Sequence, residues 1–166
     1  MFDFLEVLMP VSLVQPKLEE LSFRQSLLSD EETMCYNHAY GGTISFPRER
    51  WEDWYQRWIA GASADYFYRY LCDTEQNEYV GEAAYHRDSE RGLYLCDVIV
   101  MARFRGKGYG REGLSALCRA AKENGICRLY DEIARDNPAL SLFLKLGFQV
   151  ECETEEYTRV FLELCQ

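Results

Sequence analysis

Residues 97–113 read DVIVMARFRGKGYGREG. A run of β-branched residues stops at a turn where glycines 106, 108 and 110 alternate with Arg105, Lys107 and Arg111, and a helix-forming segment follows. A chain that passes from strand to helix through such a turn must place a sheet edge beside a helix start. Glycine lets the backbone take conformations closed to other residues and approach a ligand closely. The N–H groups at the start of the following helix carry partial positive charge, so the turn is suited to hold phosphates. A plain strand-to-helix turn with its basic side chains in water would not need three alternate glycines.

Two phosphate-binding patterns can be weighed on this stretch. Residues 108–113 satisfy GxGxxG, and Asp131 lies about twenty residues on, where a dinucleotide fold keeps its ribose-binding acid. Against this, basic residues crowd the turn, and too little chain follows to complete two mononucleotide halves. The preceding strands also alternate through short turns, which makes them antiparallel. A Walker A loop is excluded because no Gly-Lys-Ser/Thr follows. The better reading is R-x-x-G-x-G over residues 105–110, with Arg105, Gly106, Lys107, Gly108, Tyr109, Gly110 and the adjacent Arg111 around a pyrophosphate.

The rest of the chain gives that turn a setting. Residues 66–72 and 79–86 are strands joined by a polar turn at 75–78, and a turn at 88–92 leads to a third strand over 93–102. A helix over 108–123 puts Leu114, Leu117, Cys118 and Ala121 on one face and ends at Gly125. A strand over 127–134, a helix over 137–146 and a hairpin of strands 148–152 and 157–164 complete it. Upstream, residues 18–27 read as a strand and turn, Ser29 or Asp30 as a helix cap, and Gly41-Gly42 as a break. Residues 47–59 read as an amphipathic helix carrying Trp51, Trp54, Tyr55 and Trp58. The layout is mixed α/β in one domain over 1–166, with a helical crossover between the third strand and 127–134.

Bulk properties narrow the function classes. The net charge of -10 argues against a nucleic-acid partner and suits a cationic one. Seven cysteines without a CxxC pair read as buried reduced thiols of a cytoplasmic protein. His38 and His86 lack ligand spacing to any cysteine, so no metal site is expected, and His86 beside a turn reads as a surface histidine. Residues 1–21 carry acids among apolar residues, unlike a signal peptide, and no apolar run is long enough for a membrane span.

R-x-x-G-x-G after a strand ending in VIV, followed in order by DNPALSLFLKLGF at 136–148, resembles the two motifs of GNAT-type N-acetyltransferases. The resemblance covers residues 66–164 and implies a GNAT-like fold: a mostly antiparallel mixed sheet flanked by helices, with a splayed strand pair that admits acetyl-CoA. It implies a cofactor half over 66–166 and a substrate-side half over 1–65. Val98, Ile99 and Val100 would offer backbone groups to the pantetheine arm, Arg105 to Arg111 would hold the pyrophosphate, and Asn137 would contact the arm. Phe143 stands where the family often has a tyrosine that protonates the leaving thiolate.

The implied reaction moves an acetyl group from acetyl-CoA to a primary amine of a small molecule or peptide. The amine must lose a proton to attack. Asp97 is the first choice of base and Glu82, on the neighbouring strand, the second. Tyr130 and Tyr157 are the candidate proton donors in place of Phe143. Residues 29–40 and the tryptophan helix would wall the acceptor site, and aromatics with acids suit a cation with an apolar body. A homodimer through the aromatic surface is compatible with the sequence. The alternative function is a catalytically weak acyl-CoA sensor of the same fold.

Overall fold

The computed structural model describes residues 10–165. The acidic start used above against a signal peptide lies, over residues 1–9, outside the described residues.

The elements in chain order are β1 (Val11–Val14), α1 (Leu21–Ser29), α2 (Trp51–Tyr55), β2 (Tyr66–Asp73), β3 (Glu78–Arg87), β4 (Tyr94–Val100), α3 (Tyr109–Glu123), β5 (Arg128–Ala134), α4 (Leu140–Lys145), β6 (Gln149–Glu153) and β7 (Tyr157–Glu163). Short 3₁₀ turns cover Leu18–Glu20, Thr33–Tyr40, Arg48–Arg50 and Ala102–Phe104. The strands form one seven-stranded sheet in the order β1-β2-β3-β4-β5-β7-β6. All neighbours are antiparallel except β4 and β5.

The expected meander is β2-β3-β4. Its strands lie so close that a Cβ on Gly81 would stand 2.1 Å from the Ile99 carbonyl oxygen. The crossover is α3, whose Leu114, Leu117 and Ala121 are fully buried against the sheet. Gly113 lets α3 settle on Leu71, since a Cβ there would meet the Leu71 side chain at 2.7 Å.

Two local expectations change. Residues 18–27 are not a strand: a 3₁₀ turn leads into α1, capped by Glu20 Oε2 accepting from Lys17 N at 2.8 Å. The segment has no β-branched residue, and Leu21, Leu27 and Leu28 bury at helical spacing. The N-terminal strand is instead β1, pinned on β2 by Val11 opposite Asp73. The tryptophan helix is broken into a 3₁₀ turn, α2 and a π turn over Gln56–Ala60. In the last hairpin β7 is the strand that docks on β5.

That docking also corrects the cysteine reading. It brings the chain end beside the start of β5, where Leu164 N donates to Cys127 O at 2.8 Å. Cys127 and Cys165 form a disulfide, while Cys35, Cys72, Cys96, Cys118 and Cys152 are free thiols. No helix among the described residues is long and apolar enough to cross a membrane.

Packing divides the sheet into two faces. On one, Cys96, Val98 and Val100 join Leu114, Leu129, Ile133 and Phe143 in the main core under α3 and α4. On the other, Ile99 meets Leu21, Leu28 and Trp51, and Tyr68, Tyr70 and Ala84 meet Trp54 and Trp58. Side chains alternate along a strand, so Asp97 shares the α1/α2 face with Ile99, and Asp131 shares the α3 face with Leu129 and Ile133.

Candidate active site

The parallel pair β4 and β5 meets at one position only, Leu95 opposite Tyr130. Beyond it the strands diverge, and β4 has no ladder partner on that side from Asp97 to Val100. A cleft of about 680 Å³ fills the opening. Val98, Ile99 and Val100 line it from β4, and Asp131 and Ile133 from β5. Gly106, Gly108 and Gly110 close one end, and Asn137, Leu142 and Phe143 another. That volume falls within the ordinary range for a cofactor site, about 300–1,000 Å³.

The glycine turn has the shape its composition asks for. Gly106 has φ 74° and Gly108 φ 96°, left-handed values that side chains resist. Among the described residues the first bond into α3 is Glu112 N to Gly108 O, and the N–H groups of Gly106 to Gly110 find no backbone acceptor there. A row of unmatched donors at the start of a 15-residue helix is a seat for an anion. Gly110 differs from these two: a Cβ there would make only ordinary contacts, with Leu142 at 3.5 Å and Val100 at 3.8 Å.

The basic side chains divide. Arg111 lines the cleft, whereas exposed Lys107 lies outside its lining. Arg105 lines it but reaches back to the carbonyls of Glu32 and Thr33 and lies 5.2 Å over the Tyr36 ring. Tyr109 donates its hydroxyl to Asp73, which ties α3 to the β2–β3 turn. Asn137 Oδ1 accepts from Ala139 N at 2.9 Å and caps the turn into α4. Phe143, 4% exposed, packs its ring on Phe148 at 4.9 Å.

Of the expected proton-handling residues, the fold brings only Asp97 to the cleft. Its side chain is open to the water in the cleft, but protein surrounds the cleft. Burial therefore pushes its carboxyl up to about 6, the Glu82 charge adding to the push and Arg24 opposing it.

Glu82 is 3% exposed and already bonded: Arg24 Nη1 lies 2.5 Å from its carboxylate and the Tyr68 hydroxyl donates to it. The guanidinium of Arg24 sits in turn over Phe46, Trp54 and Tyr68, 4.6–5.1 Å from their ring centres. Glu82 is thus half of a buried ion pair joining α1 to β3, and does not line the cleft. Tyr130 is 7% exposed, on the face away from α3 where β4 and β5 are still joined, with its hydroxyl accepting from Arg128 at 3.1 Å. The Tyr157 hydroxyl accepts from Arg159 at 3.3 Å at the far end of β5. Neither tyrosine lines the cleft. His86 is not a surface residue: it is half-buried with its ring 5.7 Å from Trp58, and burial lowers its pKa.

Two further groups shape the site, one that sequence reasoning did not place there and one that it had placed only as a wall. Asp131 stands in the cleft, although only the rejected GxGxxG reading had drawn attention to it. The 3₁₀ segment Thr33–Tyr40 spans the cleft mouth. Thr33 Oγ1 accepts from Ala102 N at 2.9 Å at its β4 end, and the Tyr40 hydroxyl donates to Glu132 O at 3.4 Å at its β5 end. Tyr36, Asn37 and Tyr40 line the cleft from this segment, which the sequence had marked only as a substrate wall.

This arrangement matches known proteins. Residues 24–148 match the model of the acetyltransferase (GNAT) family. The solved structure of yncA from Salmonella typhimurium, with its cofactor acetyl-CoA, superposes with TM-score 0.75 at 18% identity, over 95% of this chain and 95% of that one. The spermidine N-acetyltransferase of Vibrio cholerae, solved with CoA and spermine, gives 0.75 at 17% identity, over 93% of this chain and 96% of that one. A GNAT-family acetyltransferase of Bacillus anthracis gives 0.69 at 18%, over 93% and 95%. No curated protein matches the sequence. The chain belongs to the acetyltransferase (GNAT) family. It is an acyltransferase that takes acetyl-CoA as its acetyl donor. The residues present fit that donor: the unmatched N–H row suits its phosphates, and the unladdered edge of β4 suits its amide-bearing arm.

Proposed function

We propose that this protein transfers the acetyl group of acetyl-CoA to a primary amine by direct attack, with both substrates held in the cleft and Asp97 as the base. The observation that carries the reading is the position of Asp97. It is a carboxylate on the open part of β4, beside the unpaired backbone of Val98 to Val100 and without an ion-pair partner among the described residues. With its carboxyl pushed up to about 6, it is ionised at neutral pH and can take the proton that the neutral amine gives up as its nitrogen bonds to the acetyl carbon. A free N–H of β4 supports the oxygen that gains negative charge as the new C–N bond forms.

The acceptor side carries Tyr36, Tyr40 and Ile44 with Asp97 and Glu132. Exposed rings and acids together favour a cation with an apolar body. The relative from Vibrio cholerae, a spermidine acetyltransferase, makes polyamines a natural first set of acceptors to try. The test is a panel of amines (polyamines, aminoglycosides and peptide amino termini) incubated with acetyl-CoA while free thiol is measured. Amine-dependent thiol release that falls in Asp97→Asn supports the reading. Acetyl-CoA binding without release for any amine would favour the second reading, an acyl-CoA sensor, which the ring of Phe143 keeps in play because it offers no proton.

A further inference from the structure

We propose that Asp131, on the α3 face of the cleft, is the general acid that protonates the departing CoA thiolate, opposite Asp97 on the acceptor face. The inference rests on the amine-transfer reading above.

The geometry divides the work between the faces. The phosphate seat is at the start of α3, so the thiol end of the donor enters the gap from the α3 face. The base on β4 is on the other face, with the aromatic acceptor wall. A leaving thiolate therefore needs its proton from the α3 side. The lining there is almost wholly aprotic: Val98, Val100, Leu114, Ile133, Leu142 and Phe143. Tyr109 is committed to Asp73. Asp131 is the carboxyl that remains on that side among the described residues.

Its surroundings favour the protonated acid. Asp131 Oδ1 accepts from Glu132 N at 2.7 Å, which fixes the carboxyl and leaves Oδ2 for the proton. The charged and titratable groups around it are Asp97 and Cys96 from β4, Glu132 from β5 and Tyr40 from the segment over the mouth. Arg91 and Arg159 both bind Glu132, Arg159 at 2.9 Å, and no ion pair to Asp131 is seen among the described residues. Burial, with Asp97 adding to it, raises the Asp131 carboxyl well above the usual carboxylate range. Two carboxyls in one cleft thus sit in different surroundings, and those of Asp131 favour its protonated form, as acid and base chemistry at a single pH requires.

The step balances. The amine nitrogen bonds to the acetyl carbon and its proton passes to Asp97, while the C–S bond breaks and the Asp131 proton passes to sulfur. Exchange with water then restores both groups.

The test has two readouts. In protein labelled with carbon-13 at the aspartate carboxyls, Asp131→Asn identifies the Asp131 resonance. With CoA bound it should stay in the protonated position through pH 7; titration near pH 4, about the value for a free aspartate, would overturn the inference. In turnover, Asp131→Asn should lower kcat by about 10- to 100-fold without changing KM for acetyl-CoA, and should remove the alkaline fall of the kcat profile. Adding Phe143→Tyr to that variant should restore much of the rate, since it would put a proton-donating hydroxyl on a residue that lines the same cleft. Wild-type kcat and pH profile in Asp131→Asn would overturn the proposal. If the wild-type protein released no thiol with any amine, the amine reading would fall, and the carboxyl titration would still decide whether Asp131 holds the proton.

Discussion

Asp97 differs from its neighbour Glu82 by one feature, a partner. Both lie on β strands of the same face, but Arg24 reaches Glu82 and leaves Asp97 open to the cleft. As base, Asp97 must be ionised, so kcat/KM should rise with pH through about 6. Asp97→Asn should lose that limb and about 100- to 1,000-fold in rate, with acetyl-CoA affinity kept. The same shift sets a stability prediction. A carboxyl whose folded pKa is raised stabilises the fold fully below its unfolded value and loses that contribution as pH rises through about 6. Asp97→Asn should therefore melt above wild type at pH 8, with the difference vanishing toward pH 4. A variant that melts lower at pH 8 would mean that the carboxylate is stabilised in the fold by contacts not described above.

Elements are joined to the site by a few long-range contacts. The Arg24–Glu82 pair clamps α1 onto β3 across 58 residues of chain. Arg24→Met would leave Glu82 buried and unpaired, at a cost of about 3–5 kcal/mol in urea unfolding, whereas Glu82→Gln should cost less because Tyr68 can still bond the amide. At the start of α3, Gly108 holds φ 96°, which an alanine would resist by about 1–2 kcal/mol. Gly108→Ala should weaken acetyl-CoA binding about tenfold by calorimetry, with the amine KM little changed. An unchanged affinity would show that the N–H row does not hold the phosphates.

For the whole molecule, the sheet order makes the cleft. The crossover through α3 puts β5 parallel to β4, and β7 then takes the other edge of β5, so the splay has a rigid strand on each side. Acetyl-CoA at a hundred times its dissociation constant should add about 2.7 kcal/mol to the stability of the fold, seen as a raised melting temperature, while NAD and NADP should add none. A shift with the nicotinamide cofactors alone would reinstate the GxGxxG reading. The net charge of -10 should also draw a cationic acceptor toward the cleft, so its KM should rise with salt while that for acetyl-CoA responds differently.

By itself the sequence determined the meander β2-β3-β4, the glycine turn, α3 and the turn into α4. Each is specified by neighbours within one or two turns of chain: aromatic and β-branched runs, polar turns, glycines, and an apolar face at helical spacing. It named much of the cleft lining for the same reason, since that part of the lining is the turn and the strand before it. Tertiary structure decided the rest. Whether residues 21–29 bury as a helix, which hairpin strand meets β5, and whether Cys127 meets Cys165 all depend on contacts between distant segments. So do the roles of the acids. Glu82, Asp97 and Asp131 are alike as residues, and only the packed chain gives one an arginine, opens another to the cleft, and holds the third across the strand gap. A carboxyl's chemistry follows from its partners and its access to water, and neither is written in its immediate neighbours.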